Sequence, residues 1–401
     1  MVKVTSLFSQ LLKQFPRIEF AHLVNEHNAE YRAKGFTCWT QFVAMLFCQL
    51  ARADSLREIC NGLACCMGKL VHLGIKNSPN KSTLSYANKH RPAALYEDLF
   101  YSVLNSFRTQ ECLYARKSKF RFKNKLLSLD STTISLCLKL FPWAKFRRAK
   151  GGVKAHVLLD HSDYLPAYVL ITNAKQHDIK AARLLSLNPK SIVAMDRAYN
   201  DYKLFGMWTD KGVYFVTRMK ETALYHVVQR YEVPQSRNIL SDELICLTGV
   251  KAAEKCPNLL RRVEVWDPNN ERIIVLLTNH LDFGASTIAA IYKDRWEIEL
   301  FFKSLKQNLK VKTFVGINEN ALRIQIWTAL IALLLFKWLH HLSKARWSLS
   351  NLASMLRLNL FTYRELMAWL DHPFETPPII PTPEQLILPL PGIGQAMVIR
   401  R

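Results

Sequence analysis

Three acidic residues, Asp130, Asp196 and Glu299, stand in surroundings where carboxylates are scarce and cations abundant. Between residues 112 and 159 Asp130 is the only carboxylate, with twelve Lys or Arg around it, six of them from Arg116 to Lys125. Asp130 ends the apolar run Leu126-Leu-Ser-Leu, and Asp196 repeats the design after Ser191-Ile-Val-Ala-Met. Two carboxylates at the ends of neighbouring strands can share a divalent cation, because Mg²⁺ takes carboxylate oxygen and keeps several waters. A strand-end Asp is also a common turn former, so one alone carries little. Two of them in so basic a setting carry more.

Tyr292, Arg295, Glu299 and Lys306 form the third element. At about 100° per residue these four fall within a roughly 60° arc of one helix face, and Lys303 and Lys310 extend it. Ile298, Phe301, Phe302, Leu305 and Leu309 point the other way, as a core-facing side. Glu297 lies well off the polar stripe, so Glu299 is the candidate. An ordinary amphipathic helix with i,i+4 pairs would not explain a stripe that is basic apart from one Glu.

Strands and helices must position these groups. Residues 1 to about 112 read as helical, with Phe42, Val43, Leu46, Phe47 and Leu50 at helical spacing. There the polar segment Lys81 to Arg91 follows a Gly/Asn/Ser/Pro-rich connection, which suits a DNA recognition helix as well as a solvated one. From Leu126 the period changes. Short β-branched or apolar runs at 126–130, 153–159, 168–172, 192–196 and 212–217, with a helix at 178–187, predict an α/β fold whose sheet has mixed strand directions. Residues 218–283 read as β-rich, with a hairpin of Val263–Trp266 and Ile273–Thr278 around Asp267-Pro-Asn-Asn. Ser286–Leu309 and Leu322–Leu342 read as helices. The domains expected are a helical module at 1–112, a catalytic unit at 113–345 and C-terminal helices with a Pro-rich tail at 346–401.

Composition limits the function classes. Lys+Arg number 55 and Asp+Glu 32, a net charge of +23 over 401 residues. With a pI of about 9.7, such a core-forming chain meets a polyanion, nucleic acid or an anionic membrane surface. The most apolar stretch, Ile326–Phe336, falls short of the roughly 18–20 residues that span a bilayer, and no signal peptide or basic amphipathic anchor is visible. A buried helix in a cytoplasmic protein, with no membrane partner, is the expectation. Nine cysteines without a Cys-x-x-Cys pair argue against zinc and disulfides. The absence of a Walker-type loop argues against a nucleotide cofactor.

At this point the residues resemble a family. Tyr292-x2-Arg295-x3-Glu299-x6-Lys306 has the signature spacing of bacterial insertion-sequence DDE transposases of the insertion-sequence-four group. Leu129-Asp130-Ser-Thr-Thr and Met195-Asp196-Arg-Ala-Tyr199 look like that group's first two catalytic blocks. The resemblance covers roughly residues 125–345. One departure is Ala198, where the block usually has Gly; Ala costs little unless the position needs positive φ. The resemblance implies an RNase H-like core with a β-rich insertion before the last catalytic helix, and a helical N-terminal DNA-binding domain.

It also implies a mechanism. Asp130, Asp196 and Glu299 would be both catalytic residues and ligands of two Mg²⁺ (or Mn²⁺) ions, for cut-and-paste cleavage and strand transfer at terminal inverted repeats. The partners would be transposon-end and target DNA, bridged by a homodimer. Tyr292, Arg295 and Lys306 would hold phosphates of the end. Trp266, on the predicted hairpin, is the candidate for stacking a displaced base. Arg116, Lys117 and Lys119 are candidates for further phosphate contacts. Two rivals stand beside this reading: an RNase H-like nuclease without strand transfer, and a catalytically silent, transposon-derived DNA-binding protein.

Overall fold

A computed structural model describes residues 5–66, 70–110, 119–147, 150–233 and 238–378. Arg116, Lys117 and the Pro-rich segment from residue 379 onward lie outside the described residues. The chain begins with helices α1 (Leu7–Leu12), α2 (Arg17–Glu26), α3 (Cys38–Ala51), α4 (Leu56–Ala64), α5 (Lys81–His90) and α6 (Ala94–Gln110). Strands β1 (Leu126–Leu136), β2 (Lys145–Arg147), β3 (Lys150–Asp160) and β4 (Leu165–Asn173) follow, then α7 (Asp178–Arg183), β5 (Ile192–Met195), α8 (Tyr202–Asp210) and β6 (Tyr214–Arg218). Next come β7 (Tyr225–Arg230), β8 (Ile239–Leu247), α9 (Val250–Lys255), β9 (Leu260–Asp267) and β10 (Arg272–Thr278). The last elements are α10 (Ala285–Asp294), α11 (Glu297–Asn308), α12 (Glu319–Leu342), α13 (Leu349–Asn359) and α14 (Leu366–Asp371).

All ten strands join one mixed sheet, in the order β2-β3-β1-β5-β6-β10-β9-β8-β7, with β4 also on β3. The β1–β3 and β3–β4 pairs are antiparallel, and β5 and β6 run parallel to β1 and to each other. The hairpin expected around Asp267 is present, with Asp267 opposite Arg272. Strands β7 to β10 extend the sheet through β10, which pairs antiparallel with β6. They are therefore a continuation of the sheet rather than a layer apart from it.

Alternation along β1 sorts its side chains onto two faces. Leu127 and Leu129 pack with Val193, Met195, Leu204 and Phe205 on the α8 side. Leu126 packs with Ile192, Ala194, Ile288 and Ile291 on the α10 side. Further along that second face Ile134 and Leu136 enter a core shared by the early helices and by α11, α12 and α13. Helix α12 runs through this core. It is 24 residues long, and apolar enough to cross a membrane by length and composition, but its most apolar stretch is 89% buried inside the fold. The apolar run at 326–336 is thus the middle of a longer helix that meets protein on nearly all sides.

In the N-terminal region α4 and α5 are separated by residues 65–80, well beyond the 3–4-residue turn of a helix-turn-helix. Helix α5 starts at Asn80, whose carboxamide oxygen accepts from the Ser82 amide. Leu84, Ala87 and Asn88 face inward, while Ser82, Thr83, Ser85, Tyr86, Lys89 and His90 are exposed. The Tyr86 and His90 rings stack at 4.0 Å on that outer face.

Candidate active site

The parallel register Leu129↔Met195 places Asp130 and Asp196 as the next residues of adjacent strands. Both side chains lie on the α10 face, because each follows by two a residue whose partner is there. Asp130 is held locally by the Ser131 amide, which donates to its Oδ1 at 2.7 Å. Arg295 then joins the first and third acids. Its Nη1 lies 3.4 Å from Asp130 Oδ2, and its Nη2 donates to Glu299 Oε1 at 2.8 Å. The guanidinium is largely buried, sits 5.5 Å from the Tyr292 ring centre, and keeps a buried Nε with no hydrogen-bond partner among the described residues.

The electrostatics follow from this crowding. Burial pushes the Asp130 carboxyl up to about 6; the Ser131 amide and Arg295 oppose that shift, and the charges of Asp196 and Glu299 add to it. Burial likewise raises the Tyr292 phenol, which feels both Arg295 and Asp196.

The helix that carries Glu299 is not the single rod expected over 286–309. Helix α10 ends at Asp294 and α11 begins at Glu297. Between them Trp296, Ile298 and Glu299 donate to the carbonyls of Lys293, Arg295 and Trp296, three residues back. That local tightening advances about 120° per residue rather than the 100° of an α-helix. Arg295 and Glu299 still meet. The expected inward face of α11 is observed in Ile298, Phe301, Phe302 and Leu305. Lys306, near its end, has its ammonium pKa lowered by burial and by nearby Lys312.

Asp196, Tyr292, Arg295 and Trp266 line one cleft of about 940 Å³ between the β9–β10 hairpin and the α10–α11 junction. Arg218, Lys293 and the exposed Trp296 also line it; spacing alone did not single them out. Trp266 is part-exposed on β9. Lys119 reaches the same cleft but is engaged: its ammonium donates to Asp294 at 2.6 Å and lies 3.6 Å from Glu297. Glu297 therefore faces Lys119, whereas Glu299 faces Arg295 and Asp130.

On the other face of β1, Ser131 donates to Asp178 Oδ1 at 2.7 Å, and Lys154 donates to both oxygens of that carboxylate. The buried His156 lies beside it, its Nδ1 3.4 Å from Asp178 Oδ1. Asp178 opens helix α7. Only the pairing of β1 with β3 brings it beneath the site.

A family model described as a transposase DDE domain matches residues 121–335, more than half of the chain. The chain belongs to the DDE transposase family. A second model, a domain of unknown function, matches residues 3–76. A putative transposase of Sinorhizobium fredii is 30% identical over 312 residues, covering 76% of this chain and 83% of that protein. A probable transposase for an insertion sequence element of Geobacillus stearothermophilus is 30% identical over 271 residues, covering 67% and 70%. Among solved structures, a piggyBac transposase synaptic complex with hairpin DNA is similar over 88% of this chain and 78% of that one. At a TM-score of 0.43 and 10% identity that likeness carries no argument. As a DDE transposase the chain is a DNA-binding, DNA-cleaving enzyme acting in transposition.

Divalent metal is what such enzymes generally use, and the donor set here fits it in kind. Asp130, Asp196 and Glu299 offer only hard carboxylate oxygen, the donor type such a cation takes. Among the described residues no three acids, histidines or cysteines lie close enough to hold an ion as they stand. Arg295 supplies the counter-charge between two of the acids instead.

Proposed function

We propose that this transposase performs cut-and-paste transposition of an insertion sequence of the insertion-sequence-four group, with Asp130, Asp196 and Glu299 as its catalytic, Mg²⁺-binding triad. The parallel β1–β5 register that sets Asp130 beside Asp196, with Glu299 tied to Asp130 through Arg295, is the observation that carries this reading. Strand order supports an RNase H-like core: three antiparallel strands (β4, β3, β1), then two (β5, β6) parallel to the first. When bound, Mg²⁺, two ions per site, lowers the pKa of water and stabilises the charge that builds on the phosphate. The chain's own work is to bind, orient and counter charge. Asp130 and Asp196 present adjacent oxygens from rigid strands, and Glu299 adds a third from α11. The planar Arg295 guanidinium beside Asp130 and Glu299 suits a phosphate of the end next to the scissile bond. The freed 3′-OH is the nucleophile of the later steps, so no Ser or Tyr nucleophile is required.

Tyr292 and Lys306 would position the end, and Trp266 in the cleft would stack a displaced base. Terminal inverted repeats and target DNA are the partners, bridged by a homodimer, in the bacterial cytoplasm and without a nucleotide cofactor. The outer face of α5 is the further DNA contact. The test uses purified protein, end-bearing duplex and Mg²⁺. Asp130→Asn, Asp196→Asn and Glu299→Gln should each abolish nicking and leave end binding within about threefold, since the amide keeps shape and loses the ligand charge. Near-normal cleavage by any of the three would sink the assignment. Joined products alongside nicks distinguish a transposase from a nuclease.

A further inference from the structure

A buried chain of hydrogen bonds links the strand of the first carboxylate to the helix junction of the third. Ser128 Oγ lies 2.6 Å from His161 Nε2, and His161 Nδ1 lies 2.6 Å from Asp294 Oδ2. Lys119 donates to the other Asp294 oxygen, also at 2.6 Å. Ser128 is fully buried, the His161 and Asp294 side chains are 6% and 9% exposed, and the Asp294 carboxyl is held below its ordinary range: burial would raise it, but the bonds from His161 and Lys119 outweigh that. The His161 amide also donates to the Leu126 carbonyl, which fixes the β3–β4 turn against the start of β1. Each end of the chain stops beside the site. Ser128 is two residues before Asp130 on the same face of β1, and Asp294 immediately precedes Arg295 at the α10–α11 break.

The order Ser–His–carboxylate is that of an acyl-transfer triad, but Ser128 has no exposed surface and no substrate can reach its hydroxyl. The linkage must serve something else. We propose that Ser128, His161 and Asp294 are positioning residues: a rigid strut that sets the spacing between Asp130 on β1 and the Arg295–Glu299 turn. This rests on the reading of Asp130 and Glu299 as the reacting site. A strut suits that task because the α10–α11 junction has no regular i→i−4 ladder to hold it. Misplacement of a reacting group by about 1 Å can cost on the order of 100-fold in rate.

The experiment compares Ser128→Thr with Ser128→Val, which have equal bulk and differ by the hydroxyl. Two quantities are read. One is the single-turnover rate of the first nick in preassembled end complexes; the other is Mn²⁺ affinity of the DNA-free protein, by electron paramagnetic resonance of free Mn²⁺. Thr should exceed Val at least tenfold in nicking rate and about threefold or more in Mn²⁺ affinity, at equal end affinity. Ser128→Val combined with Asp294→Asn should be no slower than the worse single variant, since both cut one chain. Equal rates and Mn²⁺ affinities for Thr and Val, or a double variant as slow as the product of the singles, would overturn the strut. Asp130→Asn in the same Mn²⁺ titration keeps the two ideas apart: if it binds Mn²⁺ as wild type does, the reading of the site fails, not the strut alone.

Discussion

Arg295 makes two of the site's ion pairs at once, one to Asp130 and one to Glu299. Where a cation already balances two carboxylates, a metal must compete with it. Arg295→Gln, which removes the charge and keeps much of the stem, should therefore tighten Mn²⁺ binding to the DNA-free protein by roughly tenfold. Lys293→Gln, which removes another cation from the same cleft, should not. A titration showing unchanged or weaker Mn²⁺ binding in Arg295→Gln would refute the competition. In preassembled complexes the same variant should slow joining more than the first nick. Lys306 lies seven residues beyond Glu299, about 10 Å along the helix at 1.5 Å per residue. Lys306→Ala should weaken complex assembly and salt tolerance more than the chemical rate, read from a time course of nicked and joined products.

Elements around the site set its stability. His156, on β3, is buried with its Nε2 3.0 Å from Thr172 Oγ1. Burial lowers its pKa to about 4; Asp178 pulls it upward and Lys154 downward. The folded protein thus protonates His156 only near pH 4, while the unfolded chain does so near 6.5. Between those values the unfolded state binds more protons, so this contribution is present near neutrality and lost as pH falls from about 6.5 to 4. Its size is up to about 3 kcal/mol. Urea unfolding of His156→Gln across that window should show a flatter pH dependence than wild type, and an unchanged slope would contradict the account. Gly206 on α8 makes a different demand: a Cβ there would stand 2.3 Å from the Lys255 carbonyl oxygen at the end of α9. Backbone cannot step aside as a side chain can. Gly206→Ala should cost roughly 1–3 kcal/mol, measured by the same unfolding assay.

At the scale of the whole molecule, a net charge of +23 makes DNA binding a salt-dependent process. Each lost phosphate contact lowers the slope of log K against log salt by about 0.9. Neutralising Arg116 and Lys117 should flatten that slope by roughly 1–2, equally for specific and nonspecific DNA. Lys119→Ala should add little to the slope, because its ammonium already serves Asp294 and Glu297, and should slow nicking instead. Filter binding at several salt concentrations, beside the nicking assay, measures both. The shared core makes a further demand. Helices α3, α5 and α6 pack on α12, and residues from 7 to 107 and from 298 to 370 belong to one buried cluster. Calorimetry should accordingly show the early and late helices melting together; a separate transition for residues 1–110 would contradict this.

What the sequence determined by itself was local. Apolar runs that stop at a lone Asp, β-branched composition and turn residues marked β1, β5 and the β9–β10 hairpin, because strand period and turn chemistry are written in consecutive residues. The inward face of α11 and the types of the candidate acids were legible for the same reason. The tertiary structure decided the rest. Asp294, at the break between α10 and α11, is bonded to Lys119 and His161, residues far away in the chain. Asp178 and the Ser128–His161 pair gain their roles only once β1 lies against β3. Nor could periodicity show that the early helices share a core with α12, because an apolar helix face does not say which face it meets. Register and long-range pairing decide which charges become neighbours, and a single chain read in order carries no direct signal of either.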